Sequence, residues 1–206
     1  MSAPSSAMSP GLVVLVLTLL LGIQPVTTDL YLPALPTLTQ GFGGSVAQAQ
    51  FTLTALLLAF GVSQLVWGPL SDRFGRRVPL LVACSVTLAS STAIVLAPTI
   101  ELLIAGRFVQ ALSAAAGMVI ARAMISDLAD GYAGVRALSV MMSIHAFVPV
   151  IGPVVGGVLA TFLPWRGVLA VFASVVAVQL VVSLTLVRET LPPARPHRGV
   201  GPARGG

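Results

Sequence analysis

The chain has 206 residues with eleven arginines, no lysine and six acids, a formal net charge of +5; 56% of it is hydrophobic and only 8% charged. A soluble domain carries about a quarter charged residues, so a mean hydropathy of +1.00 excludes a water-soluble globular fold and points to a bilayer. The arginines fall mostly at helix ends and in the tail rather than along one stripe, which favours topology over nucleic-acid binding.

Residues 1–10 carry no charged side chain. They lack the basic start and small-residue cleavage pattern of a secretory signal, so they are expected as a cytoplasmic N-terminus followed by a retained helix. A spanning helix needs about 20 mostly apolar residues. Six segments meet that length, at 11–32, 49–70, 79–97, 102–128, 137–163 and 168–187, and they predict an all-α membrane protein with a six-helix bundle over 11–188. The joints, at 33–44, 72–77, 98–101, 127–136 and 164–167, hold breakers and charges and are expected as loops. Residues 189–206 form a polar Pro/Gly/Arg-rich tail, also expected in the cytoplasm and too poor in apolar residues to fold alone.

Arginines flanking spans mark the cytoplasmic side. With the joint between segments two and three placed there, Arg73, Arg76, Arg77, Arg136, Arg188, Arg195, Arg198 and Arg204 share that side and Arg166 alone lies opposite. Both termini are therefore expected in the cytoplasm.

Ionisable groups at membrane depth are costly and mark function. Asp29, toward the outer end of segment one, and Arg107, about six residues into the oppositely running segment four, fall at similar depth. A hydrogen-bonded Asp29–Arg107 pair is expected, with a solvated headgroup-level Asp29 as the plainer reading. Gln110 lies one turn from Arg107. Gln24 and Gln64 suit either interhelical hydrogen bonds or a substrate path. His145 is read as a satisfied interior histidine ahead of a proton acceptor, and Glu101 and Arg166 as solvated surface. The single Cys84 excludes an intrachain disulfide. Gly152-Pro153 followed by Gly156-Gly157 is a bendable stretch against which another helix closes, or a simple kink. The sequence holds no metal-spaced cluster, nucleophile–base constellation or phosphate loop, so no enzyme activity, cofactor or metal is expected.

The stretch Gly68–Arg77 matches G-x-L-x-D-R-x-G-R-R at Gly68, Leu70, Asp72, Arg73, Gly75, Arg76 and Arg77. With Thr28–Pro36, Arg107–Gln110 and Gly152–Gly157, it resembles the major facilitator superfamily and, within it, the Bcr/CflA-type drug-resistance branch. The resemblance implies the N-terminal six-helix half of a twelve-helix fold in the cytoplasmic (inner) membrane, and multidrug efflux of small amphipathic molecules by proton antiport. It implies a cytoplasmic gate at Gly68, Asp72, Arg73, Gly75, Arg76 and Arg77. Asp29, Arg107 and Gln110 would form the proton-coupling or substrate region, and Gly152, Pro153, Gly156 and Gly157 the seam to the other half. The chain departs from the pattern at Ala111 and Ser113, where the family has glycines, and at Ser126 before Asp127, which is expected to weaken the charge network. Its length allows six helices, not twelve. The expected partners are lipid, a small-molecule substrate, protons, and a second six-helix half or a second copy in a homodimer. The competing reading is a truncated, transport-inactive six-helix fragment or assembly partner.

Overall fold

The computed structural model describes residues 16, 18, 19, 21, 22, 26–29, 32–43, 45–128, 131–187, 189 and 190. The expected N-terminus, residues 1–10, and all of the expected 189–206 tail except Glu189 and Thr190 lie outside the described residues, as do Gln24 and Arg188. Among the described residues there is helix and no strand.

The described residues of the first segment, between 16 and 29, are helical. A 3-10 turn, Leu32–Ala34, leads into α1 (Leu35–Phe42), followed by α2 (Val46–Phe74), α3 (Arg77–Val95), α4 (Ile100–Leu128), α5 (Gly131–Phe162) and α6 (Trp165–Leu186). The last five are long and apolar enough to cross a membrane.

Much of the expected loops at 33–44, 72–77, 127–136 and 164–167 is helical. The joint at 33–44 folds into the 3-10 turn and α1, because Pro33 and Pro36 fall in first turns, where the missing N–H has no helical partner to lose. The Thr37 hydroxyl donates to Ala34 O at 2.9 Å. α1 then seats Leu38 in the core and sets Phe42 against Trp165, ring centroids 5.1 Å apart. Likewise, the stretch from Gly68 is not a turn. α2 runs through Pro69 to Phe74, and the chain breaks only at Gly75 and Arg76. The Ser71 hydroxyl donates to Gly68 O at 2.9 Å in the turn that Pro69 interrupts.

α2 begins with a capping box: Gln48 N donates to Ser45 Oγ at 3.3 Å and Ser45 N to Gln48 Oε1 at 2.9 Å. The pattern S-x-x-Q satisfies two orphan amides reciprocally. α2 packs on α4, α4 on α3, and α3 on α6, while α5 touches mainly the 3-10 turn and is the most exposed of the five spans. Lipid gives helices no hydrophobic reason to associate, so close packing and interhelical hydrogen bonds must do it. Ala111, Ala114, Ala115 and Ala116 supply a small-residue face on α4. Trp67 Nε1 and Ser63 Oγ both donate to the Leu112 carbonyl, at 2.7 and 2.8 Å, joining α2 to α4.

Two apolar clusters form most of the core. One, around Leu80, Ile120 and Met141, lies toward the Arg76 end; the other, around Leu38, Ile94, Leu103 and Phe172, lies toward the opposite end. Along α3 and α4, buried polar residues fall between them: Thr87, Ser91, Arg107, Gln110 and Ser113.

Candidate functional site

At one end of the bundle, charge is gathered around the break between α2 and α3. Gly75 turns the chain with φ 85° and ψ 170°, a region open essentially to glycine alone. The turn aims the Arg76 and Arg77 amides at the Glu189 carboxylate beyond α6, at 2.8 and 3.1 Å. A Cβ on Gly75 would stand 2.5 Å from Glu189 Oε2, so glycine is required both for the dihedral and for the approach of that carboxylate. The orphan amides at the start of α3 thus receive an anion where the helix dipole favours one.

The Arg76 side chain is buried and reaches three partners. Its Nε donates to Asp127 Oδ2 at 2.8 Å, and its NH1 donates to Asp72 Oδ1 and to Ser71 Oγ. The hydrogen bond to Asp127 is the largest influence raising its affinity for its proton above that of an ordinary arginine. Ser126 beside Asp127 was expected to weaken this network, yet Asp127 takes part in it directly. Arg77 NH2 donates to Leu184 O at 3.2 Å, and Arg73 lies over the Phe74 ring. Gly68 has open space where a Cβ would point.

The other end of α3 is tied to α6 as well. Arg166 Nε and NH2 donate to Val95 O and Ala97 O, at 3.2 and 3.1 Å, while the guanidinium stacks 4.4 Å from the Trp165 ring. Arg166 is exposed, as expected, and from the surface it also caps the C-terminus of α3, a cation where the last carbonyls favour one. Glu101 is exposed in the first turn of α4.

Within the bundle, Arg107 is only 1% exposed. Its NH1 donates to Gln110 Oε1 at 2.8 Å and to Thr27 O at 3.3 Å. Gln110 Nε2 donates to Ser91 Oγ at 2.8 Å, and Ser91 Oγ passes on to Thr87 O; Thr87 Oγ1 in turn donates to Ser113 Oγ at 2.9 Å. This polar thread joins the first segment, α4 and α3. Ser113, where the resemblance called for glycine, is buried and hydrogen-bonded within it, and Ala111 packs against Leu56 and Ala59.

The expected direct Asp29–Arg107 pair does not form. The ion pairs joining described residues are those of Arg76 with Asp72 and Asp127, and Asp29 Oδ2 is buried without a hydrogen-bond partner. The reason is helical phase. Two residues along a helix is a rotation of about 200°, so when Thr27 meets Arg107, Asp29 faces elsewhere. It faces α5, where a Cβ on Gly152 would lie 2.7 Å from the Asp29 Cβ.

His145 lies two turns from Gly152 on the same inward stripe of α5, close enough to Asp29 and to Arg122 of α4 for their charges to interact. Its Nδ1 is buried without a partner, so it is not the satisfied interior histidine expected. Arg122, an arginine inside a span, was missed by counting only loop charges; its presence within an apolar run was the available signal. Gly156 is buried, Pro153 and Gly157 are half-buried, and α5 continues through Pro149 and Pro153. Gln64 Nε2 meets Met118 Sδ at 4.0 Å.

Comparison with known proteins agrees with this arrangement. Residues 17–205 match the family model described as Major Facilitator Superfamily. The chain is 36% identical over 185 residues to an uncharacterized MFS-type transporter, YdgK, of Bacillus subtilis (strain 168), covering 86% of this chain and 46% of that protein. It is 30% identical over 172 residues to the multidrug resistance protein MdtL of Escherichia coli (strain SMS-3-5 / SECEC), covering 84% of this chain and 44% of MdtL. The chain thus spans about half the length of these relatives. In fold it is similar to the proton:xylose symporter XylE, with a TM-score of 0.76 at 18% identity over 87% of this chain and 45% of that one. With residues 17–205 matched by the family model and transporters aligned along most of its length, this multi-pass helical chain belongs to the major facilitator superfamily.

Proposed function

We propose that the chain is the N-terminal six-helix half of a proton-coupled exporter of small drug-like molecules, of the Bcr/CflA type, in the cytoplasmic membrane with both termini inside. The likeness to MdtL supports drug efflux, and the arginine count by side supports the orientation. The observation that carries the coupling reading is Asp29. Asp29 is half-buried, and its Oδ2 is buried without a hydrogen-bond partner, while Arg107 NH1 is engaged by Thr27 O and Gln110 Oε1. An ionisable group at membrane depth that is not fixed to a partner is suited to exchanging a proton. In this reading Arg107 and Gln110 shape the substrate side of the first segment. Asp72, Arg73, Arg76, Arg77, Gly68 and Gly75 form the cytoplasmic gate.

A second half is part of the proposal. Phe147, Val150, Ile151, Val154 and Phe162 of α5 are all more than half exposed, on the element that carries Gly152, Pro153, Gly156 and Gly157. Transporters of this architecture rock one half against the other, and a second copy in the same orientation, as a two-fold dimer, or a separate second chain would cover this face. The test is movement of a cationic dye in proteoliposomes under an imposed proton gradient. Gradient-dependent movement that Asp29→Asn abolishes is expected. Protein that stays monomeric and moves no dye under any gradient would establish the transport-inactive fragment instead.

A further inference from the structure

A cavity of about 560 Å3 opens between the first segment, α5 and α6, away from the arginine turn and from the Arg107 thread. Its size falls within the range of small-molecule pockets, about 300–1,000 Å3. On α6 it follows one helical stripe from Val171 to Val182, about 16 Å of helix at 1.5 Å per residue. Val148 of α5 forms another wall. Across from them, a Cβ on Gly22 would meet nothing within 4 Å, so the glycine leaves a hollow where a larger side chain would fill it.

The lining is mostly apolar, with Thr18, Ser174 and Gln179 as its polar members, and Ser174 Oγ already donates to Ala170 O at 2.9 Å. Gln179 is only 7% exposed, and its Oε1 is a buried acceptor with no hydrogen-bond partner. An acceptor left unpaired in an apolar setting is costly and strongly favours a donor brought to it. None of the described residues lining the cavity is ionisable, so a charged group entering it would be desolvated without compensation.

We propose that this cavity binds an uncharged amphiphile of drug size dissolved in the bilayer, its apolar body among the valines and its single donor on Gln179 Oε1. As a substrate site it rests on the exporter reading and adds neutral amphiphiles carrying an O–H or N–H to the substrates that reading covers. As a binding site it stands without transport.

The experiment is photolabelling of the chain in lipid nanodiscs with a diazirine-bearing octanol and with its methyl ether, adducts being mapped by peptide mass spectrometry. Alcohol adducts should concentrate on the cavity stripe of α6 and exceed those of the ether about fivefold, the factor one net hydrogen bond supplies. Gln179→Leu should bring the alcohol down to the ether, and Gly22→Phe should remove both. Equal labelling by alcohol and ether in the unmodified chain would overturn the proposal in favour of a lipid acyl-chain groove. Adducts spread evenly over outward residues such as Val154, Val158 and Val181 would overturn it in favour of bulk partition. The alcohol–ether comparison requires no variant to fold. Labelling without dye transport keeps the site and removes the exporter; transport without labelling removes only the site.

Discussion

The two ends of α3 and the inner face of α5 treat polar groups in opposite ways. Around α3, Glu189 takes the first amides, Arg166 takes the last carbonyls, and the Arg76 guanidinium is shared by Asp72, Asp127 and Ser71. Along α5, His145 Nδ1 and the facing Asp29 Oδ2 are buried and unpartnered. A buried polar group that is fully bonded fixes a structure, while one left without partners is costly and tends to be kept for function. The comparison therefore separates a rigid clasp from a region equipped to change state.

The largest effect should come from breaking the clasp at its centre. Arg76→Ala leaves Asp127 without its partner, and such a loss costs roughly 3 kcal/mol; thermal unfolding in detergent should show a correspondingly lower midpoint. Next, Gly152→Leu forces the first segment away from α5, with an overpacking cost of about 1–3 kcal/mol. A correspondingly lower thermal unfolding midpoint in detergent should follow.

Gly75→Ala should cost about 1–3 kcal/mol from its dihedral alone, with the Glu189 clash added. Adding Glu189→Ala should recover the clash and not the dihedral, read as a partial return of the unfolding midpoint. Smaller still, Glu189→Gln and Arg166→Gln should each cost about 0.3–1 kcal/mol, the range for a charge at a helix terminus. Raising salt should shrink the difference between variant and parent. Asp29→Asn is the sharpest contrast. It should leave the unfolding midpoint within about 0.5 kcal/mol of the parent while abolishing gradient-driven dye movement. Equal destabilisation by Asp29→Asn and Arg76→Ala would erase the distinction between the two regions.

The spans were legible because about 20 consecutive apolar residues admit few other structures, and segments two to six reappear as α2–α6 with ends shifted by a few residues. The joints were less legible. Pro33 and Pro36 read as breakers, yet both lie in first turns, where a helix tolerates the missing amide. The arginine motif drew attention to Asp72 and Arg76, which pair, but not to Glu189, whose partnership spans 113 positions and leaves no local pattern. Depth placed Asp29 and Arg107 together, while rotation about the helix axis decided their neighbours. The Thr87–Ser91 to Gln110–Ser113 thread was readable as polar residues at helical spacing in two adjacent spans, once those spans were known to touch.

Glu189 and Arg166 bracket the sixth span, and that has a consequence for biosynthesis. Until the ribosome has released α6 and Glu189, the amides after Gly75 and the carbonyls at the close of α3 lack these partners and must be served by water or headgroups. The third span thus enters the bilayer early but is secured late, and a nascent chain held before residue 189 should show the turn after Phe74 open to protease.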